Sequence, residues 1–133
     1  MINPGMFCAL MLARAGYRPV VVERGEAVED RMKSVDSFWN GGRLNPESNA
    51  QFGEGGAGTF SDGKLNTQVK EVYGRISKVL EIFVEHGADE SITYEAKPHI
   101  GTDRLVYIVQ SIRKEIESLG GEVRFNTRLV DID

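Results

Sequence analysis

The stretch GMFCALMLARAGYRPVVVE, residues 5–23, decides the predicted fold. Apolar side chains occupy residues 5–15 almost all round, which predicts a buried helix. Gly16 follows at the place of a left-handed C-terminal cap. The valines after Pro19 do not alternate with polar residues, and such a run is typical of a strand covered on both faces in a parallel sheet. The chain is therefore expected to open as helix, tight turn and buried strand.

Farther along the chain, apolar periodicity predicts two amphipathic helices, at residues 75–86 and 102–119. Thr102 or Asp103 is expected to cap the second helix. Residues 26–39 are predicted to be helical in part, and short strands are expected at residues 91–96, 122–125 and 128–132. This order of elements, around a glycine-rich insertion at about residues 40–66, predicts a single domain of the α/β class. The first helix is unusual for that class because no strand precedes it.

The composition is that of a globular protein, and it excludes several functions. The 133 residues suffice for one domain, and a net charge of −4 with a pI of about 5.3 argues against a sequence-independent nucleic-acid binder. No apolar run could span a membrane, and the first residues lack the basic region of a signal peptide. The single cysteine, Cys8, excludes an internal disulfide and an all-cysteine metal site. We therefore expect a cytoplasmic protein.

Pro4, Gly5 and Glu23 form half of a dinucleotide-binding pattern. Glycine at a helix N-terminus lets backbone amides approach a pyrophosphate, and an acid at the tip of the next strand accepts hydrogen bonds from a ribose. Gly5 and Glu23 have about the expected spacing, but the earlier glycines of GxGxxG are absent. An incidental acid at the end of a helix–strand pair is an equally good interpretation. Arg31 either meets a phosphate or is a solvated helix charge.

The segment QFGEGGAGTFSDGKLN, residues 51–66, is the most glycine-rich part of the chain. Such a run is favoured where backbone amides lie against a flat or anionic ligand. Thr59, Ser61, Asp62 and Lys64 add donors, an acceptor and a positive charge. A flexible surface loop is the alternative, but the segment contains Phe52 and no proline, unlike a repetitive linker. It is not a P-loop, because no GxxxxGK[ST] pattern occurs.

The two histidines and the nearby aromatic residues allow more than one role. His99 precedes a glycine and a helix start, so it is either a pocket-facing donor or a turn residue. His86 ends an amphipathic helix and is better explained as a charge or cap than as a ligand. Neither histidine has a cysteine partner, which argues against a zinc site. Trp39, Phe52 and Phe60 could flank a ligand ring, although core packing is the default for each.

Three segments carry a more specific signal: VVVERGEAVEDR, FWNGGRLNPESNAQFGEGGAGTFSDGKLNT and KPHIGTDRL. They closely resemble a family of bacterial FAD-dependent dehydrogenases, also described as NAD(FAD)-utilising dehydrogenases. The resemblance covers essentially the whole chain, as an N-terminal portion truncated at both ends. It implies a partial Rossmann-like FAD-binding domain of the glutathione-reductase-like type. The first strand, the rest of the FAD domain and the substrate-side domain would be absent.

The resemblance also implies roles for individual residues. In such flavoproteins the first glycine turn holds the pyrophosphate of FAD, Glu23 matches the acid that binds the adenosine ribose, and Arg31 matches a basic position near the phosphates. Residues 51–65 would lie along the cofactor toward the isoalloxazine. The implied cofactor-binding residues are Pro4, Gly5, Glu23, Arg24, Arg31, Gln51, Gly53, Gly55, Gly56, Ala57, Gly58, Thr59, Ser61, Asp62 and Lys64.

The function implied by the resemblance is that of an FAD-binding segment of an oxidoreductase that transfers hydride or electrons through FAD. NAD(P)H is a candidate co-substrate of the complete enzyme, and no metal is expected. No catalytic acid or base is assigned, and His99 and Lys64 are the best candidates. The alternative is a non-catalytic truncated remnant, or a nucleotide-binding module without turnover. The acidic balance disfavours a third interpretation, a tRNA-modifying flavoprotein.

Overall fold

The computed structural model describes residues 4–61, 63–65 and 71–131. These residues form four α-helices, two short strands and two 3₁₀ helices. In chain order the α-helices and strands are α1 (Pro4–Arg14), β1 (Val20–Val22), α2 (Val28–Trp39), α3 (Arg75–Glu85), α4 (Thr102–Ser118) and β2 (Glu122–Arg124). The 3₁₀ helices are Gly56–Phe60 and Glu90–Thr93. The two strands pair in parallel, with Val21 opposite Val123.

The prediction of an α/β, partial Rossmann-like FAD-binding domain of the glutathione-reductase-like type is wrong. The described residues are mostly helical, and their sheet has only two strands. The valine run is not covered on both faces, because Val20 and Val22 are 54% and 43% exposed. Only Val21, on the opposite face, packs against the core. A run of valines therefore does not require two covering layers when the strand is this short.

Helix α4 lies at the centre of the hydrophobic core. Its buried apolar residues recur three and four positions apart and so share one face: Leu105, Ile108, Val109, Ile112 and Ile116. Helix α1 packs on α4 and on β1 with Met6, Ala9 and Leu10 buried. It is not buried all round as predicted, since Met11 and Leu12 are 48% and 39% exposed.

Local predictions met mixed outcomes. Gly16 lies two residues beyond the end of α1 and has φ +88°, which confirms the left-handed cap. Residues 91–96 were predicted to be a strand, but the chain forms a 3₁₀ helix at Glu90–Thr93. Residues 128–131 form no strand, and residue 132 lies outside the described part. Gly101, not Thr102 or Asp103, is the cap of α4.

Among the helices formed by residues 4–61, 63–65 and 71–131, none is both long and apolar enough to cross a bilayer.

Candidate functional site

Arg31 of α2 is fully buried. It contacts residues 49–59, which we call the glycine-rich loop. Its Nε donates to the carbonyl oxygen of Asn49 at 2.9 Å. Its Nη1 donates to the carbonyl oxygens of Glu54, at 2.6 Å, and Gly56, at 2.9 Å. The same nitrogen lies 3.2 Å from the Thr59 hydroxyl oxygen. One guanidinium therefore holds residues 49–59 against α2, which a planar fork of donors does better than a point charge.

The glycines of this loop are needed because the chain passes close to itself. A β-carbon on Gly53 would lie 2.4 Å from Cδ of Arg31, and one on Gly25 would lie 2.6 Å from Cα of Gly53. A β-carbon on Gly55 would lie 2.6 Å from the Thr59 methyl carbon. These three glycines lie against the protein's own atoms, so the loop is packed rather than free. Contact of its amides with a flavin stays a prediction.

Glu54 lies within the loop and is the second buried charge. Its Oε2 accepts the Val28 amide at 2.8 Å and Nη1 of Arg113 at 3.0 Å. Arg113 also pairs with Glu29 at the start of α2. These contacts connect the loop to both α2 and α4. Burial raises the pKa of Glu54 to about 7, against the opposing effects of the Val28 amide and Arg113.

Two buried polar atoms have no hydrogen-bond partner within the described part of the chain. They are Nη2 of Arg31 and Oε1 of Glu54. Burial lowers the pKa of Arg31 to about 10, so the guanidinium remains charged at neutral pH. The Cζ atom of Arg31 lies 4.7 Å from the centre of the Phe60 ring. Buried polar atoms without a hydrogen-bond partner are uncommon in native proteins, and one explanation is a bound ion or ligand.

Glu23 directly follows β1 and is half-buried. Its backbone amide donates to the carbonyl oxygen of Arg124 at 2.8 Å, which continues the sheet by one bond. Its Oε1 accepts the Gly25 amide at 2.9 Å. The negative charge of Glu23 also acts on Arg31. The structure therefore brings these two predicted site residues into one electrostatic environment.

Arg24 points to a different set of groups. Its Nε donates to Glu47 at 2.6 Å, and its guanidinium lies 4.2 Å from the centre of the Phe52 ring. Arg24 thus holds the loop from its outer side.

The other predicted site residues differ in how close they lie to the buried Arg31 and Glu54. Pro4 and Gly5 form the exposed first turn of α1, and Gln51 and Ala57 are exposed on the loop. Gly58 is buried, and its carbonyl accepts the Ser61 hydroxyl at 3.0 Å. Lys64 is exposed and forms an isolated antiparallel bridge with His99. Asp62 lies outside the described residues.

Sequence reasoning did not predict that Glu54 and Arg113 lie with Arg31 in one buried cluster. Glu54 had a signal, because it is the acid that interrupts the glycines of residues 53–58. Arg113 also had a signal of burial, because it follows Val109 by four residues and so adjoins the apolar face of α4. No cluster of His, Cys, Asp and Glu among the described residues could hold a metal ion.

His86 ends α3, where the structure confirms its role as a cap. It is only 5% exposed, and both ring nitrogens face oxygen atoms. Nδ1 lies 2.7 Å from the Ile82 carbonyl and Nε2 lies 2.8 Å from Oε2 of Glu115. Glu115 also pairs with Arg14 of α1, so this cluster ties three helices together.

A cleft of about 250 Å³ lies beside the loop, between the second half of α2 and residues 44–51. We call it the α2 cleft. Phe38, Trp39 and Leu44 form its apolar lining, and Asn45 and Gln51 contribute amides.

Comparison with known proteins relates this chain to part of a longer protein. No protein-family profile matches the chain. An uncharacterized protein of Clostridium beijerinckii is 56% identical over 128 residues, which is 96% of this chain. The chain spans 24% of the length of that relative. The match shows that this sequence is similar to part of a longer protein, and it carries no information on activity.

Proposed function

We propose that the chain is an FAD-binding segment of a longer, cytoplasmic, flavin-dependent oxidoreductase. The observation that carries the proposal is the buried guanidinium of Arg31, whose Nη2 has no partner among the described residues and which feels the negative charge of Glu23 at the carboxyl end of β1. The resemblance of three sequence segments to FAD-dependent dehydrogenases supports it. A relative of about four times this length supplies room for the remaining parts of such an enzyme.

Glu23 and Arg31 carry groups whose chemistry suits the ribose and phosphate parts of FAD, although Arg31 is fully buried in this structure. Glu23 uses Oε1 for the Gly25 amide, and a carboxylate has further lone pairs for ribose hydroxyls. Nη2 of Arg31 is a charged donor suited to a phosphate oxygen. Helix α1 precedes β1 through residues 15–19 and packs against it.

The chain's own residues would bind and position the cofactor in this proposal. Arg31 fixes residues 49–59 on α2 with its other nitrogens, which keeps the loop in one conformation. When bound, FAD supplies the acceptor for a hydride or for electrons. NAD(P)H is the proposed donor in the complete protein.

A second candidate is a nucleotide-binding module without turnover. The observation that favours it is that Gly53 and Gly55 lie against Arg31 and Thr59. Those two glycines then serve folding, and a ligand would contact only the surrounding groups.

The test measures flavin retention in the purified chain and in the Clostridium beijerinckii relative. Each protein is incubated with FAD, separated from excess FAD by gel filtration, and examined by its visible spectrum. We expect a retained, shifted flavin band and a reduced amount of flavin in the Glu23→Gln variant of this chain. Glu122→Gln, a substitution of an exposed acid on β2, is the matched control and should retain the wild-type amount.

The two candidates differ in whether the bound flavin is reduced. Bleaching of the retained flavin by NADH or NADPH in the longer relative would support the oxidoreductase. Retained flavin that neither nucleotide reduces would favour the module without turnover. Absence of flavin from both folded proteins would overturn the proposal.

A further inference from the structure

The α2 cleft is apolar on its helix side and polar at its rim. Val35 is buried at its base, whereas Phe38, Trp39 and Leu44 are 42%, 63% and 53% exposed. Large side chains that are exposed side by side, with polar groups around them, mark interaction sites more often than isolated apolar residues do. Trp39 packs edge-on against Phe60, with ring centres 5.8 Å apart, which restrains the indole.

The loop wall of the cleft is held by its own hydrogen bonds. Oδ1 of Asn45 accepts the amides of Glu47 and Ser48, at 3.0 and 3.3 Å. Asn49 donates to the Asn45 carbonyl at 2.8 Å and accepts the Gln51 amide at 2.9 Å. On the buried side of the loop, Nε of Arg31 donates to the Asn49 carbonyl oxygen. The cleft is therefore formed in the free chain, as ligand sites commonly are.

The chemistry of the lining limits the ligand. None of the described residues that line the cleft carries a charge, so a phosphate or a carboxylate would find no counterion among them. The volume of about 250 Å³ suits one small ring system better than a peptide segment. Asn45 offers the donors of its Nδ2, because its Oδ1 already accepts two backbone amides, and the Gln51 amide offers both a donor and an acceptor to the edge of a ring.

We propose that the α2 cleft binds an uncharged planar heteroaromatic ring. The ring stacks on Trp39, and the amides of Asn45 and Gln51 hydrogen-bond to its edge. This site lies on α2 and residues 44–51, and it uses neither Glu23 nor the Arg31 nitrogen invoked for FAD. The proposal therefore stands or fails independently of the proposed function.

Trp39 is the single tryptophan of the chain and reports directly on the cleft. Its fluorescence is recorded during titration with adenosine, with ribose as the non-aromatic control and cyclohexanol as the apolar control. We expect saturable quenching by adenosine without a change in fluorescence lifetime, and no saturable response to ribose or cyclohexanol. Lifetimes that stay constant indicate a complex formed before excitation rather than collisions.

Variants then locate the ring. Ala50→Leu places extra methyl groups in the cleft and should raise the half-saturating concentration of adenosine about tenfold. Gln51→Ala removes an exposed amide and should raise it severalfold, and it decides the question if Ala50→Leu fails to fold by circular dichroism. Val72→Ala, at a residue that is 83% exposed and does not line the cleft, is the control that should change nothing.

Several results would overturn this inference. Quenching that rises linearly with shortened lifetimes would mean collisions only, and an equal response to cyclohexanol would mean a general apolar surface. Loss of the response in Glu23→Gln but not in Ala50→Leu would place adenosine at the end of β1 instead. Dimers that bury Trp39 at the titrated concentrations, seen by sedimentation, would assign the cleft to a second copy of the chain.

Discussion

Gly53 and Arg31 occupy adjoining space so closely that only a glycine fits: a β-carbon on Gly53 would lie 2.4 Å from Cδ of Arg31. Gly53 also has φ +123°, a conformation that other residues rarely adopt. The loop and α2 are therefore built as one unit, in which the absence of a side chain at one position makes room for a buried guanidinium at another.

Gly53→Ala should lower the free energy of unfolding by about 3 kcal/mol, because it combines overpacking with an unfavourable backbone conformation. Urea denaturation followed by circular dichroism measures this value. Gly41→Ala is the matched control, since Gly41 has φ +91° but no atom within 4 Å of the added carbon. It should cost about 1 kcal/mol. Equal losses in both variants would show that the contact with Arg31 contributes nothing.

Arg31→Lys should destabilise the protein by about 3–5 kcal/mol despite keeping the charge. Lysine cannot reproduce the fork that bonds the Asn49, Glu54 and Gly56 carbonyls together. Thermal unfolding measures the loss, and proteolysis should begin within residues 49–59. Arg104→Lys, at an exposed position on α4, should be nearly neutral. A loss below about 1 kcal/mol at Arg31 would contradict the role assigned to this side chain.

Because of Glu54, the free energy of unfolding should fall as pH rises. Its pKa is raised from its ordinary value of 4.5 to about 7 by burial, so the folded state holds this proton more tightly than the unfolded state. The contribution is fully present below about pH 4.5 and is lost as pH rises through about 7, by about 3 kcal/mol in total. The measurement is the free energy of unfolding from about pH 5 to about pH 8.

Glu54→Gln isolates this effect, because the amide mimics the protonated acid and does not titrate. The difference in stability between variant and wild type should grow in favour of the variant across that pH range. A difference that does not change with pH would contradict the prediction. Other carboxylates titrate in both proteins and so cancel in the comparison.

Glu115 should have the opposite pH dependence. The hydrogen bond from Arg14 is the main cause that lowers the pKa of Glu115, with His86 adding to it. Its stabilisation is therefore present above the ordinary value of 4.5 and lost as pH falls through the depressed value. Glu115→Gln should cost about 1–2 kcal/mol at about pH 7, and less at about pH 3, in urea unfolding. Glu95→Gln, at an exposed position, should be neutral at both pH values.

Much of the helical structure could be predicted from the sequence. Periodic apolar residues located α3 and α4 to within two residues, and Gly16 marked the turn after α1. These features depend on contacts between residues three or four positions apart, or on the conformation of one glycine. Local chemistry is sufficient for them. The resemblance assigned site roles to Glu23 and Arg31, and those roles remain predictions.

The sequence by itself determined which segments could be helical and where glycine was needed. Only the tertiary structure decided what fills the space beside those glycines, namely Arg31 and Thr59, and that Val20 and Val22 stay exposed. It also converted the predicted strand at residues 91–96 into a 3₁₀ helix. The physical reason is that burial and close approach depend on residues far apart in the chain. Arg31 and Glu54, or Glu54 and Arg113, meet only after α2, the loop and α4 have packed together.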